Sequence, residues 1–325
     1  MLPAAPNGDD VLLRLGGIKI HPAFPRARNS SFTPLPLIVD YRPHEWDRNI
    51  LQLLRNSALL AVLAGCLIFL PPFNGYLSQG VQSVFDYFDT RPKQTVLFIG
   101  NSRTFYNDMP HMVRKIAESA GYSKKLHIEM DAEPGVSLGF HIKSEQTQRL
   151  LSQHWDHVVL QVLSSDQYSS KRSASAWVDA QNLIREVQAK GSLPVMFVTW
   201  RYTDQCNDNA GMPTSASDLS PLGFVEMHFN IQQQHARLAK LTGVDLVNVG
   251  RLWEELQSQP EHVNLYHDCN HPSIYGSYLA ALMFYGYFSG DEIANVTFRP
   301  EGISSEEAEA LRKTVSRYLA KGTED

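Results

Sequence analysis

Cysteine is scarce in this sequence, and that scarcity excludes a disulfide scaffold. The 325 residues include three cysteines, far fewer than small disulfide-stabilised domains use. Cys66 lies in an apolar run, and neither Cys206 nor Cys269 has the ligand spacing of a zinc site. We therefore predict no metal. Cys206 and Cys269 are expected to pair if the chain is exported, and to be free thiols if it is cytoplasmic.

Two other absences remove large classes of function. The 29 basic and 34 acidic residues give a net charge of -5 and are mixed along the chain, so there is no basic stripe for nucleic acid. The sequence around Gly100, "VLFIGNSRTF", has one glycine, whereas dinucleotide and triphosphate loops need several at fixed spacing. We therefore exclude nucleic acid as a partner, and a nucleotide-binding regulator is disfavoured.

Long uncharged runs are also rare, with one exception. Ser57 to Phe73 reads "SALLAVLAGCLIFLPPF", and Arg42, Arg48 and Arg55 precede it. A spanning helix needs about 20 apolar residues, so we extend the segment to residues 50–73 and predict an uncleaved membrane anchor. The arginines would hold its start in the cytoplasm and place the following domain outside. The alternatives are a buried amphipathic helix and a cytoplasmic protein.

The remainder of the chain divides by pattern. Residues 1–49 carry scattered prolines and no sustained period, which predicts an irregular tail, and residues 74–93 are a linker. From residue 94 to residue 325, short apolar runs alternate with helical stretches that close on Gly121, Gly191 and Gly243. Such alternation predicts a three-layer α/β/α sandwich with a central parallel sheet of about five strands. The strand-like runs are "TVLFIG", "LHIEMDA", "HVVLQV", "PVMFVTW" and "VDLVNVG".

The first of these runs ends on a turn that displays Ser102. Serine at that position is either a helix cap or a nucleophile, and a nucleophile requires a histidine and a carboxylate elsewhere in the chain. The segment "YHDCNHPS" supplies both, since Asp268 lies three residues before His271. An aspartate there can fix the imidazole tautomer, leaving Nε2 free to take the serine proton. We predict Ser102, Asp268 and His271 as catalytic residues. His111, His141 and His267 are set aside because we expect none of them to have an aspartate at the matching spacing, and lone histidines are more often surface or satisfied core residues.

Gly100-Asn101-Ser102 and Asp268-x-x-His271 together resemble the SGNH (GDSL-type) hydrolase superfamily over roughly residues 94 to 290. The resemblance implies a flavodoxin-like fold and a serine hydrolase without cofactor. It also implies an oxyanion hole made by the backbone N–H of Ser102, the N–H of Gly135 and the side chain of Gln161. Gly139 is the rival glycine, and Ser164 or Ser165 could replace Gln161, because the usual Gly-x-Asn-Asp block reads "LQVLSSD" here.

The substrate is less constrained than the reaction. Trp200, Arg201 and Tyr202 follow the fourth strand and are predicted to line a substrate pocket, and the polar loop from Thr203 to Leu222 is predicted to be a lid or a surface excursion. We expect an acyl ester, such as O-acetyl on a carbohydrate or envelope glycan. The alternatives are a lipid esterase of lysophospholipase type and a non-catalytic glycan-binding module. The sequence does not predict an oligomeric state.

The C-terminal stretch shows helical spacing of its apolar residues. Leu311, Val315 and Leu319 recur at that spacing after Ser304 and Ser305, which predicts a capped helix packed on the domain.

Overall fold

The computed structural model describes residues 89–167, 170–203, 221–290 and 293–321. All of them belong to one compact unit, Asp89–Asp325. The predicted tail (1–49), the predicted anchor (50–73), most of the linker, Cys206 and the centre of the predicted lid lie outside the described residues. Those assignments therefore remain predictions. Within the described ranges, no helix combines the length and the apolar character that crossing a bilayer requires.

A parallel sheet of five strands forms the centre of this unit, as the alternation predicts. The strand order is β2-β1-β3-β4-β5, and every pairing is parallel. Because parallel strands end at the same edge, the segments that follow β1, β2, β3 and β4 converge there. The strands are β1 (Lys93–Gly100), β2 (Lys125–Ala132), β3 (His157–Leu160), β4 (Leu193–Val198) and β5 (Asp245–Asn248).

Nine α-helices accompany the strands in the described part of the chain. They are α1 (Ser102–Phe105), α2 (Met109–Ser119), α3 (Leu138–Lys143), α4 (Glu145–Leu151), α5 (Ser170–Ala189), α6 (Pro221–Thr242), α7 (Val249–Gln257), α8 (Ile274–Ser289) and α9 (Ser305–Ala320). Gly121, Gly191 and Gly243, predicted as helix ends, all have positive φ. A residue in the left-handed conformation commonly follows the last turn of a helix, and glycine adopts that conformation without strain because it has no Cβ.

Alternate residues of β1 supply two separate cores. Val96 and Phe98 belong to one apolar cluster, and Leu97 and Ile99 belong to another. All four are fully buried, because helices cover both faces of the sheet. The three-layer prediction is thus confirmed within the described residues.

Helix α8 is buried around most of its circumference, which explains its almost unbroken apolar sequence. It packs on α2 and lies under α9. The covering helix α9 begins at Ser304, where a capping box joins the Ser304 and Glu307 side chains to each other's backbone N–H groups. Ala308, Leu311 and Val315 of α9 are buried. The prediction of a capped helix packed on the domain is correct.

Candidate active site

Ser102 is the first residue of α1 and directly follows the turn at Gly100 and Asn101 that ends β1. The turn is tight: a Cβ on Gly100 would lie 2.4 Å from the Thr104 hydroxyl oxygen and 2.9 Å from Gln161 Oε1, so only glycine fits there. Asn101 caps the short helix, and its backbone N–H donates to Gln161 Oε1 at 3.0 Å. The backbone around Ser102 is therefore fixed before any substrate arrives.

The loop that carries Asp268 and His271 is closed at its base. Tyr266 and Pro272 form an antiparallel bridge, and the His267 N–H donates to the His271 carbonyl at 2.8 Å. Inside the loop, Asp268 Oδ1 accepts the backbone N–H groups of Asn270 and His271, both at 2.7 Å. The carboxylate is thereby oriented by the backbone of its own loop.

The two segments meet in a continuous hydrogen-bonded chain. Asp268 Oδ2 lies 2.7 Å from His271 Nδ1, and His271 Nε2 lies 2.9 Å from Ser102 Oγ, across 169 positions of sequence. Burial raises the pKa of Asp268, but the hydrogen bonds from His271 and Asn270 outweigh it and leave the pKa below its ordinary value. An ionised Asp268 holds the proton on Nδ1, so Nε2 presents a lone pair to the serine hydroxyl.

Comparison with solved structures identifies the fold. No protein-family model and no curated protein matches the chain. A protein from Slackia heliotrinireducens, described as a candidate SGNH hydrolase, is 27% identical; the match covers 60% of this chain and 99% of that one, with a TM-score of 0.50. A DUF4886 family protein from Bacteroides uniformis is 18% identical, covering 70% of this chain and 95% of that one, with a TM-score of 0.56.

The chain has the SGNH-hydrolase fold. The resemblance inferred from the Gly-Asn-Ser and Asp-x-x-His blocks is confirmed at this level.

In this SGNH fold, the glycine chosen for the oxyanion hole lies in the turn after β2. Gly135 is exposed and has a φ of 68°. The Asn101 side-chain amide donates to the carbonyl of the next residue, Val136, at 3.2 Å, which ties this turn to the one that carries Ser102. The rival, Gly139, lies inside α3, where a Cβ would lie 2.5 Å from Asp179 Oδ2.

Gln161 is buried against the turn that leads into Ser102. Its Oε1 accepts the Asn101 N–H and also the Thr104 hydroxyl at 3.2 Å, and its Nε2 donates to the Val162 carbonyl at 2.5 Å. An amide nitrogen carries two hydrogens, so one remains beyond the bond to Val162. Ser164 and Ser165, the alternatives, are buried in a 3₁₀ turn.

The residues predicted to line a pocket make structural contacts here. Trp200 and Tyr202 are each 1% exposed, and Trp200 stacks on Trp253 with ring centroids 3.7 Å apart. Arg201 Nε pairs with a Glu254 carboxylate oxygen at 3.0 Å. These contacts show that the three side chains pack inside the domain, and none of them is with a cavity. Substrate binding by these residues remains a prediction.

Tyr106 was not predicted as a site residue, yet it contacts His271. Its ring stacks on the His271 imidazole with centroids 4.7 Å apart and planes inclined by 13°. A stacked aromatic ring restricts the orientation of the imidazole. The sequence signal is an aromatic residue four positions after Ser102, which is too common to be diagnostic.

Two of the discarded histidines have aspartate partners. His111 Nδ1 lies 2.7 Å from Asp108 with the same Asp-x-x-His spacing, but both side chains are about half exposed. His141 is fully buried; its Nε2 lies 2.8 Å from the Gly100 carbonyl, and its Nδ1 lies 3.6 Å from Asp131. The expectation that no discarded histidine has an aspartate at the matching spacing was wrong for His111. It holds for His141, whose burial and hydrogen bonds are those of a satisfied core histidine. His141 supports the end of β1, which sequence spacing could not indicate.

Cys269 is disulfide-bonded, and both other cysteines lie outside the described residues. Its predicted pairing with Cys206 therefore stays a prediction. Among the described residues, no group of three or more histidine, cysteine, aspartate or glutamate side chains is placed to hold a metal ion.

Proposed function

We propose that this protein is a serine esterase that cleaves or transfers an acyl ester by way of an acyl-enzyme. The observation that carries the proposal is the unbroken chain from Asp268 through His271 to Ser102, with contacts of 2.7 Å and 2.9 Å. A serine that only caps a helix does not require a histidine hydrogen-bonded to its hydroxyl. A histidine that only packs beside a serine does not require a carboxylate to orient its ring. The two contacts together favour nucleophilic catalysis.

In the proposed cycle, His271 Nε2 takes the Ser102 proton while Oγ attacks the ester carbonyl carbon. The resulting imidazolium is stabilised by Asp268. Collapse of the tetrahedral intermediate breaks the bond to the alcohol, and Nε2 returns the proton to the leaving oxygen. Water then enters, and its oxygen attacks the acyl carbon as Nε2 takes one of its protons. The bond to Ser102 Oγ breaks, Nε2 returns the proton to Oγ, and the carboxylic acid leaves.

The oxyanion forms between donors that lie at one edge of the sheet. We assign the backbone N–H of Ser102, that of Gly135 and the second amide hydrogen of Gln161 to this role. The bond from Asn101 to Val136 and the bond from Asn101 to Gln161 support this assignment, because they hold the three turns together. One such donor typically contributes about 10²–10³ in rate.

For the substrate, we propose an O-acyl group, such as acetyl, on a carbohydrate outside the cytoplasm. The predicted anchor at residues 50–73 and the disulfide at Cys269 support export, because disulfides persist mainly in oxidising compartments. A lipid ester would suit an anchored enzyme equally. Initial rates on acetylated oligosaccharides and on a lysophospholipid therefore form the two arms of a substrate test.

Hydrolysis of p-nitrophenyl acetate by the full-length chain tests the reaction itself. The expected result is turnover that disappears in Ser102→Ala and in His271→Ala, with circular dichroism showing that both variants fold. Equal turnover in all three proteins would sink the proposal. A folded protein that binds acetylated glycans with an affinity unchanged by Ser102→Ala, and that shows no turnover, would be a binding module.

A further inference from the structure

Arg103 follows the proposed nucleophile Ser102, and its guanidinium is buried among Thr199, Trp200 and Asn270. The residue is 1% exposed, and its hydrogen-bond partners among the described residues are all neutral. Nη2 is buried with no hydrogen-bond partner there. Burying a cation without a contacting carboxylate is costly, so packing alone does not explain an arginine at this position.

The bonds that Arg103 does make connect three segments of the site. Its Nε donates to the Asn270 side-chain oxygen at 2.8 Å. Its Nη1 donates to the Thr199 hydroxyl at 3.1 Å and to the Trp200 carbonyl. Arg103 itself follows Ser102, Asn270 lies between Asp268 and His271, and Thr199 lies just after β4. One side chain therefore spans the nucleophile turn, the histidine loop and the end of β4.

The surroundings of the guanidinium restrict it to this geometry. Its carbon lies 4.9 Å from the centroid of the Trp200 ring and 5.4 Å from that of Tyr202, contacts that favour a cation. Burial lowers the pKa of Arg103 to about 10, and the charge of Asp268 acts in the opposite direction. The side chain thus stays protonated at neutral pH. Trp200 and Tyr202 therefore pack against the Arg103 guanidinium.

The histidine loop is also attached to the segment that follows β4. The Trp200 indole N–H donates to the Asn270 carbonyl at 3.0 Å, and the Thr203 N–H donates to the Cys269 carbonyl at 3.1 Å. Both bonds run between the loop and the end of β4. The link from Arg103 joins the loop to the segment that carries Ser102, as do the bond from Asn107 Nδ2 to the Pro272 carbonyl at 3.1 Å and the stacking of Tyr106 on His271. Of these three, only the Arg103 bond reaches a residue between Asp268 and His271.

We infer that Arg103 is a positioning residue of the triad, which acts through the Asn270 side chain to hold His271 at the distance from Ser102 that proton transfer requires. The inference rests on the proposed esterase function. It assigns to Arg103 no contact with substrate, since the guanidinium is buried behind the loop.

Two substitutions remove the link from opposite ends. Arg103→Met deletes the donor and keeps an apolar stem, and Asn270→Ala deletes only the side-chain acceptor, since the backbone bonds of Asn270 remain. Each is expected to lower kcat by about 10²-fold, the usual effect of misplacing a catalytic group by about 1 Å, with KM changed less than about 2-fold. The double variant is expected to be no slower than either single one, because both break the same contact. Arg103→Lys keeps the charge but lacks the fork of donors, so it should not restore kcat.

Arg91→Met is the matched control. Arg91 lies at the opposite end of β1, where it binds Asp89 and the Tyr122 carbonyl, so its loss should leave kcat unchanged. If Arg103→Met fails to fold, Asn270→Ala carries the test, since its bond is made by one half-buried side chain. Wild-type kcat in folded Asn270→Ala would overturn the inference.

A readout that does not depend on turnover separates this inference from the proposed function. The proton on His271 Nδ1, shared with Asp268, should give a strongly downfield NMR resonance in the wild type and in Ser102→Ala. In Arg103→Met and Asn270→Ala it should broaden or vanish by faster exchange with water. An inactive wild type would contradict the esterase proposal alone, and a resonance unchanged by both substitutions would overturn the positioning role.

Discussion

Asp268→Asn is the substitution whose consequence follows most directly from the hydrogen bonds at the site. Asp268 Oδ1 accepts two backbone N–H groups at 2.7 Å, so an amide in its place must turn its oxygen toward them. Its NH₂ then faces His271 Nδ1. Two donors cannot share that contact, and the imidazole must therefore move its proton to Nε2.

The magnitude follows from the tautomer. With a proton on Nε2, His271 has no lone pair facing Ser102 Oγ, which lies 2.9 Å away, and general-base catalysis is lost. The same replacement in the chymotrypsin-type triad lowers kcat by about 10⁴-fold, and we expect a similar loss here. KM should change little, because no substrate contact is removed.

The assay is kcat for p-nitrophenyl acetate with the full-length protein, and the chain offers a matched control. Asp108 and His111 repeat the Asp-x-x-His spacing in an exposed pair, so Asp108→Asn should leave kcat at the wild-type value. A folded Asp268→Asn protein within about tenfold of the wild-type kcat would refute the proposed role of the carboxylate.

Three further predictions test other parts of the structure. Gln161→Glu keeps the oxygen that accepts the Asn101 N–H but removes the amide donors, so kcat should fall roughly 10²–10³-fold; a wild-type kcat would exclude Gln161 from the oxyanion hole. Burial lowers the pKa of His235 to about 4, against about 6.5 in the unfolded chain. As pH falls from 6.5 to 4, the unfolded state therefore binds the proton first, and up to roughly 3 kcal/mol of stability is lost. Between pH 7.5 and pH 4.5, the free energy of unfolding measured with urea should therefore fall less in His235→Leu than in the wild type. An equal fall in both proteins would contradict this. In Gly250→Ala, the new Cβ would lie 2.1 Å from the Thr199 carbonyl oxygen, so the free energy of unfolding should fall by roughly 1–3 kcal/mol; an unchanged Tm would show that the contact relaxes freely.

The fold was predictable because its signal is local and repeated. Runs such as Val96 to Ile99 are buried on both faces of the sheet, and burial on both faces is what makes a strand continuously apolar. The glycines that end helices, such as Gly191 and Gly243, are also a local signal, because glycine readily adopts the positive φ found at these positions. The predicted membrane anchor rests on an equally local signal, but residues 50–73 lie outside the described residues and the anchor stays a prediction.

The site was predictable only where chemistry dictates a short motif. Ser102 and the Asp268–His271 pair were predicted from residue type and spacing, and the structure brings them into one hydrogen-bonded chain; their catalytic roles stay a prediction. Spacing alone is not sufficient, however, because Asp108 and His111 share it without the burial or the serine.

The support of the site could not be read from the sequence, because its contacts join residues far apart in the chain. Arg103 reaches Asn270 across 167 positions, and Gln161 reaches Asn101 across 60. Trp200 was predicted to line a pocket because it follows a strand, whereas its actual surroundings depend on Trp253 and the histidine loop. Such partners become neighbours only once the sheet order is known.

Covalent labelling of the full-length protein by a fluorophosphonate, located by peptide mass spectrometry, addresses the nucleophile itself. We predict one adduct, on Ser102, that is absent in Ser102→Ala and forms much more slowly in His271→Ala. A folded wild-type protein that remains unlabelled at Ser102, or an adduct that persists in Ser102→Ala, would contradict the assignment of Ser102 as the nucleophile.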